Sequence, residues 1–465
     1  MPPTVACLIA LLLVAYLFQR DIRERPNITL ALWLPFFWIT LSGTRFLSQW
    51  LEIFGINLGG TSVQDGSPLD GMSFLAMIVL GLMVLRRRQV NWPDFMRRNR
   101  WITIYLIYCL VAVLWSDFPF VAVKRWIKLF GQPVMVLVLL TEPDPMESFR
   151  RLMKRFAYVL VPLSILFIKY YPPLGRSFDE WSGLPMNTGI TTNKNVLGCD
   201  CFIVGLFFFW HFHQTRQREP GPARRKEFLL CLFFFLMLAW LMHSANSSTS
   251  LGVLILASAI ILFLGLRFVD LHRITAYLMF GLLVLLPLDL FFGLHDMIIQ
   301  LLGRNPTLTG RTDIWGILLH WNLNPIIGVG FESFWLGDTV DQIAAMEPGL
   351  VINEAHNGYL ETYINLGVMG IALTLAMVVA AYRKGCQALW ADFEFGRFRL
   401  AYLAAFLVYN WTEAAFRTHC FPFFVFFLIA IDYRRDPASA ADSIPAHEPE
   451  PNWEVVAPVI PAPKG

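Results

Sequence analysis

The stretch HNGYLETYINLGVMG, residues 356–370, sets a histidine, an asparagine and a tyrosine directly before an apolar run. Near neutral pH an imidazole can accept or donate a proton, so His356 is the first candidate for acid–base work. Glu354 precedes it by two residues and Glu361 follows it by five. Asn357 and Tyr359 stand beside it as supporting polar groups. Two further polar and aromatic blocks come earlier, GRTDIW at 310–315 and GVGFESFW at 328–335. In the first, Thr307, Thr309 and Gly310 predict a helix start, with Asp313 in its first turn. An arginine there opposes the helix dipole unless an anion lies between them, which makes Arg311 a candidate phosphate contact. The plain alternative pairs Arg311 with Asp313 or another loop carboxylate.

Other cations could grip an anion. Lys194 lies in TTNKNVLG (191–198), where Thr191, Thr192, Asn193 and Asn195 add neutral donors. A lysine is a compact point charge suited to phosphate oxygens, although a snorkelling lysine with a polar cap would read the same way. Lys124, Arg125 and Lys128 follow WSDFPF (115–120), and Lys124 and Lys128 share one helix face. Cations at that depth are costly against lipid and are expected to point into a bundle or outward.

The elements that position these groups are membrane helices. With 56% hydrophobic and only 15% charged residues, a soluble domain could not keep apolar patches off its surface. Apolar runs of roughly 15–20 residues recur, long enough to cross a bilayer. They lie near 4–18, 28–42, 72–85, 101–115, 120–140, 156–170, 195–212, 227–243, 249–266, 274–292, 365–382, 400–415 and 420–432. The reading is an all-α polytopic membrane protein with about 12–13 transmembrane helices. The first run is short enough to lie in the interface, and it reads as a retained span rather than a cleaved signal.

The basic residues orient the bundle. One set of alternate loops holds Arg20, Arg86 to Arg88, Arg150, Arg151, Lys154, Arg155, Arg224, Arg225, Arg383, Lys384, Arg397, Arg399 and their neighbours. These loops are expected on the cytoplasmic side. The other set is poor in charge, with Arg45, Lys169, Arg176, Lys194, Arg304, Arg311 and Arg417. His243, His295, His320 and His419 also fall on or near that outer side. One transmembrane domain over 1–435 is expected, with a large periplasmic loop from about 293 to 364. The aromatic residues Trp315, Phe331, Phe334 and Trp335 imply that this loop packs on itself or on the bundle. The Pro-, Ala- and Glu-rich stretch 436–465 reads as a disordered cytoplasmic tail. The seven cysteines form no CxxC, so neither a disulfide framework nor a metal site is expected. Asp200, between Cys199 and Cys201, should face the bundle or a polar partner rather than lipid.

The ordered blocks WSDFPF with Arg125, NKNVLG, SANSSTSLG (244–252), TGRTDIW, GVGFESFW and HNGYLETYINLGVMG span residues 115–370. With them the chain resembles the O-antigen ligase/polymerase superfamily of bacterial membrane glycosyltransferases, and within it the exopolysaccharide polymerase branch. The resemblance implies many helices with one large periplasmic loop in the inner membrane. It also implies transfer of a glycan from undecaprenyl pyrophosphate to an acceptor hydroxyl, with no metal, nucleotide sugar or other cofactor. Family basic residues grip the pyrophosphate and a loop histidine lies at the reaction centre, roles that map onto Arg311 and His356. Lys194 stands where some relatives carry arginine. SSTSLG lacks the arginine that often follows the serines in ligases, which leans away from a lipid A-core ligase. The implied partners are the lipid-linked donor, a glycan or lipid acceptor, the bilayer and polysaccharide export machinery, with no nucleic acid.

Elementary chemistry agrees with that reading. Breaking a sugar–pyrophosphate bond builds negative charge on the leaving phosphate, which Arg and Lys stabilise as it grows. The acceptor hydroxyl must lose a proton, a task for which His356 is the candidate base. Direct displacement would invert the anomeric configuration. Ligation to lipid A-core or protein is the alternative within the class. A transporter or flippase of lipid-linked sugars is the alternative outside it, as is a structural scaffold. A transporter should carry charges at mid-membrane depth and paired halves. Here the notable charges lie at the outer ends and no repeat is evident.

Overall fold

Proline opens many of the long helices, at Pro3, Pro68, Pro119, Pro145 and Pro222. Its fixed φ suits the first helical position, and its missing N–H would be unpaired there anyway. The computed structural model describes residues 1–24, 26–56, 66–178, 183, 185–217, 219–278, 311–346 and 354–433. Apart from the run near 274–292, which lies mostly outside these residues, every expected apolar run coincides with a helix. Among the described residues, five helices are long and apolar enough to cross a membrane: Pro3–Arg23, Pro68–Arg87, Lys194–Gln217, Pro222–Ala245 and Gly358–Ala391. A sixth span is formed if the pair Leu30–Gly43 and Leu47–Ile53, bent by 71°, is counted as one. The other long helices, such as Pro119–Leu140, Pro145–Tyr170 and Phe393–Thr412, carry charges that find partners inside the bundle. The first run, expected to be short, is a helix of 21 residues. The tail expected at 436–465 lies outside the described residues.

Charge is sorted between the two ends of the bundle. At one end, Asp21 accepts from Arg151 Nη1 at 2.9 Å and from Arg155 Nε at 2.8 Å. Glu227 receives Arg20 Nη2 at 2.8 Å and pairs with Lys154 and His211. Arg88 pairs with Glu142 at 2.5 Å, just past the C-terminal end of the Pro119–Leu140 helix. These are basic residues of the richer alternate loops, and each meets an acid from another part of the bundle. Removing one partner of such a buried pair would strand a charge, so the network fixes how the helices align. Arg125 and Lys128 lie near the N-terminal end of the same 119–140 helix, at the opposite end of the bundle.

Close helix approach needs the absence of a side chain at two positions there. A Cβ on Gly131 would come within 2.1 Å of the Trp38 ring. Trp38 Nε1 instead donates to Gln132 Oε1 at 3.2 Å. The Gly358–Ala391 helix breaks at Gly367, whose φ is +64°. A chain segment lies along the break, with Val368 N donating to Pro325 O at 2.9 Å and Met369 N to Ile326 O at 3.1 Å. A Cβ on Gly367 would come within 2.2 Å of Ile326 backbone, so only glycine admits this packing.

The long loop packs as its aromatic content implied. It carries the helices Arg311–Leu319 and Thr339–Met346. Ile314, Leu318, Phe334 and Ile343 form a buried cluster with Ala355, Leu360 and Ile364, against which Trp315, Trp321 and Trp335 are packed.

Candidate active site

Each residue of the HNGY block has a local geometric reason. His356 adopts a positive φ of 48°, a left-handed turn just before the helix that follows. Asn357 caps that helix, its side chain accepting from Tyr359 N and Leu360 N at 3.0 Å each. Gly358 meets Asn410, whose Oδ1 would lie 2.0 Å from a Cβ there. Tyr359 donates its hydroxyl to Leu407 O at 2.9 Å.

The three polar blocks are stitched together by buried side chains. Asn365 Oδ1 accepts from Ser333 N at 2.9 Å and Phe334 N at 3.2 Å, which fixes GVGFESFW on the helix. Glu361 accepts from Trp335 Nε1 at 2.8 Å and from Ala355 N at 3.1 Å. Trp315, from the GRTDIW block, donates to Ala355 O at 2.9 Å. Side-chain anchors of this kind leave few unpaired backbone groups and hold the loop in one arrangement.

Around His356 these anchors set a knot of charge. Its Nδ1 lies 3.0 Å from Glu354 Oε1 and 3.5 Å from Glu413 Oε2. Burial resists charge on the ring, but the two carboxylates outweigh it and raise the pKa to about 9. The ring is therefore an imidazolium at neutral pH. Arg417 pairs with the other oxygen of Glu354. Next to it, Thr418 donates through both N and Oγ1 to Glu332, a residue that also adopts a positive φ, of 45°. Arg125 donates to the Glu332 carbonyl. Gln132 Nε2 donates to Thr418 O at 3.0 Å and so anchors this segment on the 119–140 helix. Glu354, His356 and Glu413 each offer one atom within 4.8 Å of the others, the spacing of a metal set. The Arg417 guanidinium on Glu354 already neutralises that carboxylate and would oppose a cation there.

Two cavities flank this knot. One, of about 250 Å³, lies between residues 41–46, the start of the Lys194–Gln217 helix and residues 413–422. The other, of about 230 Å³, is lined by Arg125, Phe331, Glu332, Trp335 and Glu361 among others. Arg417 and His419 line both.

The residues singled out in the sequence fare differently. His356, Asn357 and Tyr359 come together as one turn, with Asn357 and Tyr359 holding the backbone. Arg125 lines the second cavity and Asn195 the first. Lys194 is the first residue of its helix, and Asn193 Oδ1 accepts from Val196 N at 2.8 Å to cap it. Lys124 lies over the Phe120 ring at 4.3 Å, and Lys128 lies over the rings of Phe46 and Phe74. Arg311 begins its helix as expected, while its side chain lies outside the described part. Sequence reading missed Glu332, Glu413, Gln132 and the central place of Arg417 and His419. The available signal was TEAAFRTHC at 412–420, a polar stretch between two apolar runs on the charge-poor side.

Comparison with known proteins takes in part of this region. The family model described as O-Antigen ligase matches residues 232–375. The chain is 25% identical over 323 residues to Exopolysaccharide production protein ExoQ of Rhizobium meliloti (strain 1021), covering 65% of this chain and 68% of the relative.

Proposed function

We propose that this chain is a member of the O-antigen ligase/polymerase superfamily and works as a polymerase, a reading supported by the match of residues 232–375 and by the 25% identity to the exopolysaccharide production protein. It takes a glycan from undecaprenyl pyrophosphate and transfers it to the hydroxyl of an acceptor glycan, on the periplasmic face of the inner membrane. The relative's role in exopolysaccharide production supports polymerisation over transfer to lipid A-core. The concentration of paired basic residues at the other end of the bundle supports a periplasmic site.

The single observation that carries this reading is that His356 and Arg417 converge on the Glu354 carboxylate, with Arg417 lining both cavities. Cleavage of the anomeric carbon–oxygen bond places negative charge on the departing pyrophosphate. Cations already fixed in place stabilise that charge without reorganising, the largest electrostatic contribution available to such a site. His356 serves here as a charged donor to the leaving phosphate rather than as the base, because two carboxylates hold its proton. Arg311 and Lys194, at the starts of their helices, and Arg125 and Lys124 complete the donor grip in this reading. The displacement inverts the anomeric centre and needs no metal ion.

The test is chain growth by the purified protein in lipid nanodiscs supplied with undecaprenyl-pyrophosphate-linked repeat units. Longer lipid-linked glycans and released undecaprenyl pyrophosphate are expected. Binding without chain growth, or movement of the glycan onto lipid A-core alone, would overturn the polymerase assignment.

A further inference from the structure

With His356 holding its proton, the acceptor hydroxyl needs another group to take its own. Two residues that line the 250 Å³ cavity each bury a polar atom with no hydrogen-bond partner among the described residues, Asp200 Oδ2 and His419 Nδ1. Asp200 is 1% exposed and lies within a transmembrane helix. An unpartnered carboxylate at such a place is among the most costly arrangements a fold can hold, and a functional role is the default reading. Asp200, Glu354 and Glu413 line this cavity together with Arg417 and His419. A sugar hydroxyl suits it, because a hydroxyl donates to a carboxylate and gives or receives at an imidazole nitrogen.

We propose that this cavity receives the acceptor sugar, with Asp200 binding its hydroxyls and His419 taking the proton of the one that attacks. The inference rests on the polymerase reading above. His419 lines both cavities and so stands where acceptor and donor meet. In the step, the hydroxyl oxygen bonds to the donor's anomeric carbon. The carbon–oxygen bond to phosphate breaks, its electron pair leaves with undecaprenyl pyrophosphate, and the proton passes to His419 Nδ1. Burial, followed by Lys128, Arg417 and Arg125 nearby, lowers the His419 pKa well below the usual histidine range, so the ring is neutral before the step. Asp200 lines the same cavity, Glu332 is bonded to the adjacent Thr418, and the Phe46 ring lies 5.2 Å away. The two histidines thus divide the chemistry, one charged and one neutral.

The experiment uses full-length protein in nanodiscs with two probes, undecaprenyl pyrophosphate alone and the lipid-linked repeat unit. Asp200→Asn should raise the repeat-unit concentration for half-maximal chain growth at least tenfold, while binding of undecaprenyl pyrophosphate stays within twofold. Ala414→Leu, which fills the cavity from a different residue, should do the same, so a folding defect in one variant leaves the other informative. His419→Gln should lower kcat about a hundredfold with little change in half-maximal concentration, in the range for losing a positioned base. Unchanged half-maximal concentrations in both cavity variants would overturn the sugar subsite, as would an equal loss of undecaprenyl pyrophosphate binding. Activity that requires sodium in wild type and loses that requirement in Asp200→Asn would show a cation site instead. Wild type that binds undecaprenyl pyrophosphate yet forms no chain refutes the polymerase reading, and the acceptor assignment falls with it.

Discussion

The buried amide of Gln132 donates to the carbonyl of Thr418 at 3.0 Å and receives Trp38 Nε1 at 3.2 Å. One side chain on a helix thereby fixes the residue between Arg417 and His419. Loop chemistry is held in place by a bond to a rigid element, as precise positioning demands.

Gln132→Leu should therefore act at a distance. It leaves the Trp38 N–H and the Thr418 carbonyl unpaired, a loss of about 1–3 kcal/mol. Thermal unfolding in detergent should shift down by a few degrees. Chain growth should fall by more than the lost folded fraction explains; equal falls would mean that Gln132 only stabilises.

The pH dependence follows from His356. Its pKa is raised to about 9, so its ion-pair stabilisation is complete below the ordinary value near 6.5 and is lost as pH rises through 9. Chain growth should hold through neutral pH and decline on the alkaline side. Glu354→Gln removes one of the two carboxylates and should move that decline to lower pH by about one unit. A decline on the acid side near pH 6.5 that His356→Gln abolishes would restore the base role to His356.

Arg311 is expected to contact the donor pyrophosphate. Arg311→Lys keeps the charge but loses the planar fork, so a large loss of transfer at normal protein level is expected. Near-normal polymer from Arg311→Ala would remove it from the mechanism.

Sidedness can be read directly. A reporter fused after Arg225 should lie in the cytoplasm. A single cysteine at the exposed position Asp338 should react with an impermeant thiol reagent from the periplasm. The same side for both would refute the orientation.

Local pattern carried the helices and the three polar blocks, because apolar periodicity, capping residues and glycine act over a few residues. HNGYLE could be recognised for that reason: its cap and its turn are local, although the close approach of Gly358 to Asn410 is not. Arg417 could not, since its partner Glu354 is 63 residues away in the chain. Glu332 and Thr418 are 86 residues apart, and Gln132 and Thr418 are 286 apart. Such pairs exist only once the bundle has closed, and the irregular segment that bears Arg417 and His419 has no periodicity to announce it.

The break at Gly367 also sets an order of assembly. Residues 325–330 leave the ribosome before the helix whose free N–H groups they satisfy. Until residues 364–369 arrive, the backbone carbonyls of Pro325 and Ile326 have only water to bond, so this stretch must wait on the aqueous side of the bilayer. It can dock only after the following helix has been inserted, and the two then close together in a single late event. The loop therefore docks only once the helix beyond Gly367 is in place, and the 413–420 segment that pairs with it arrives later still.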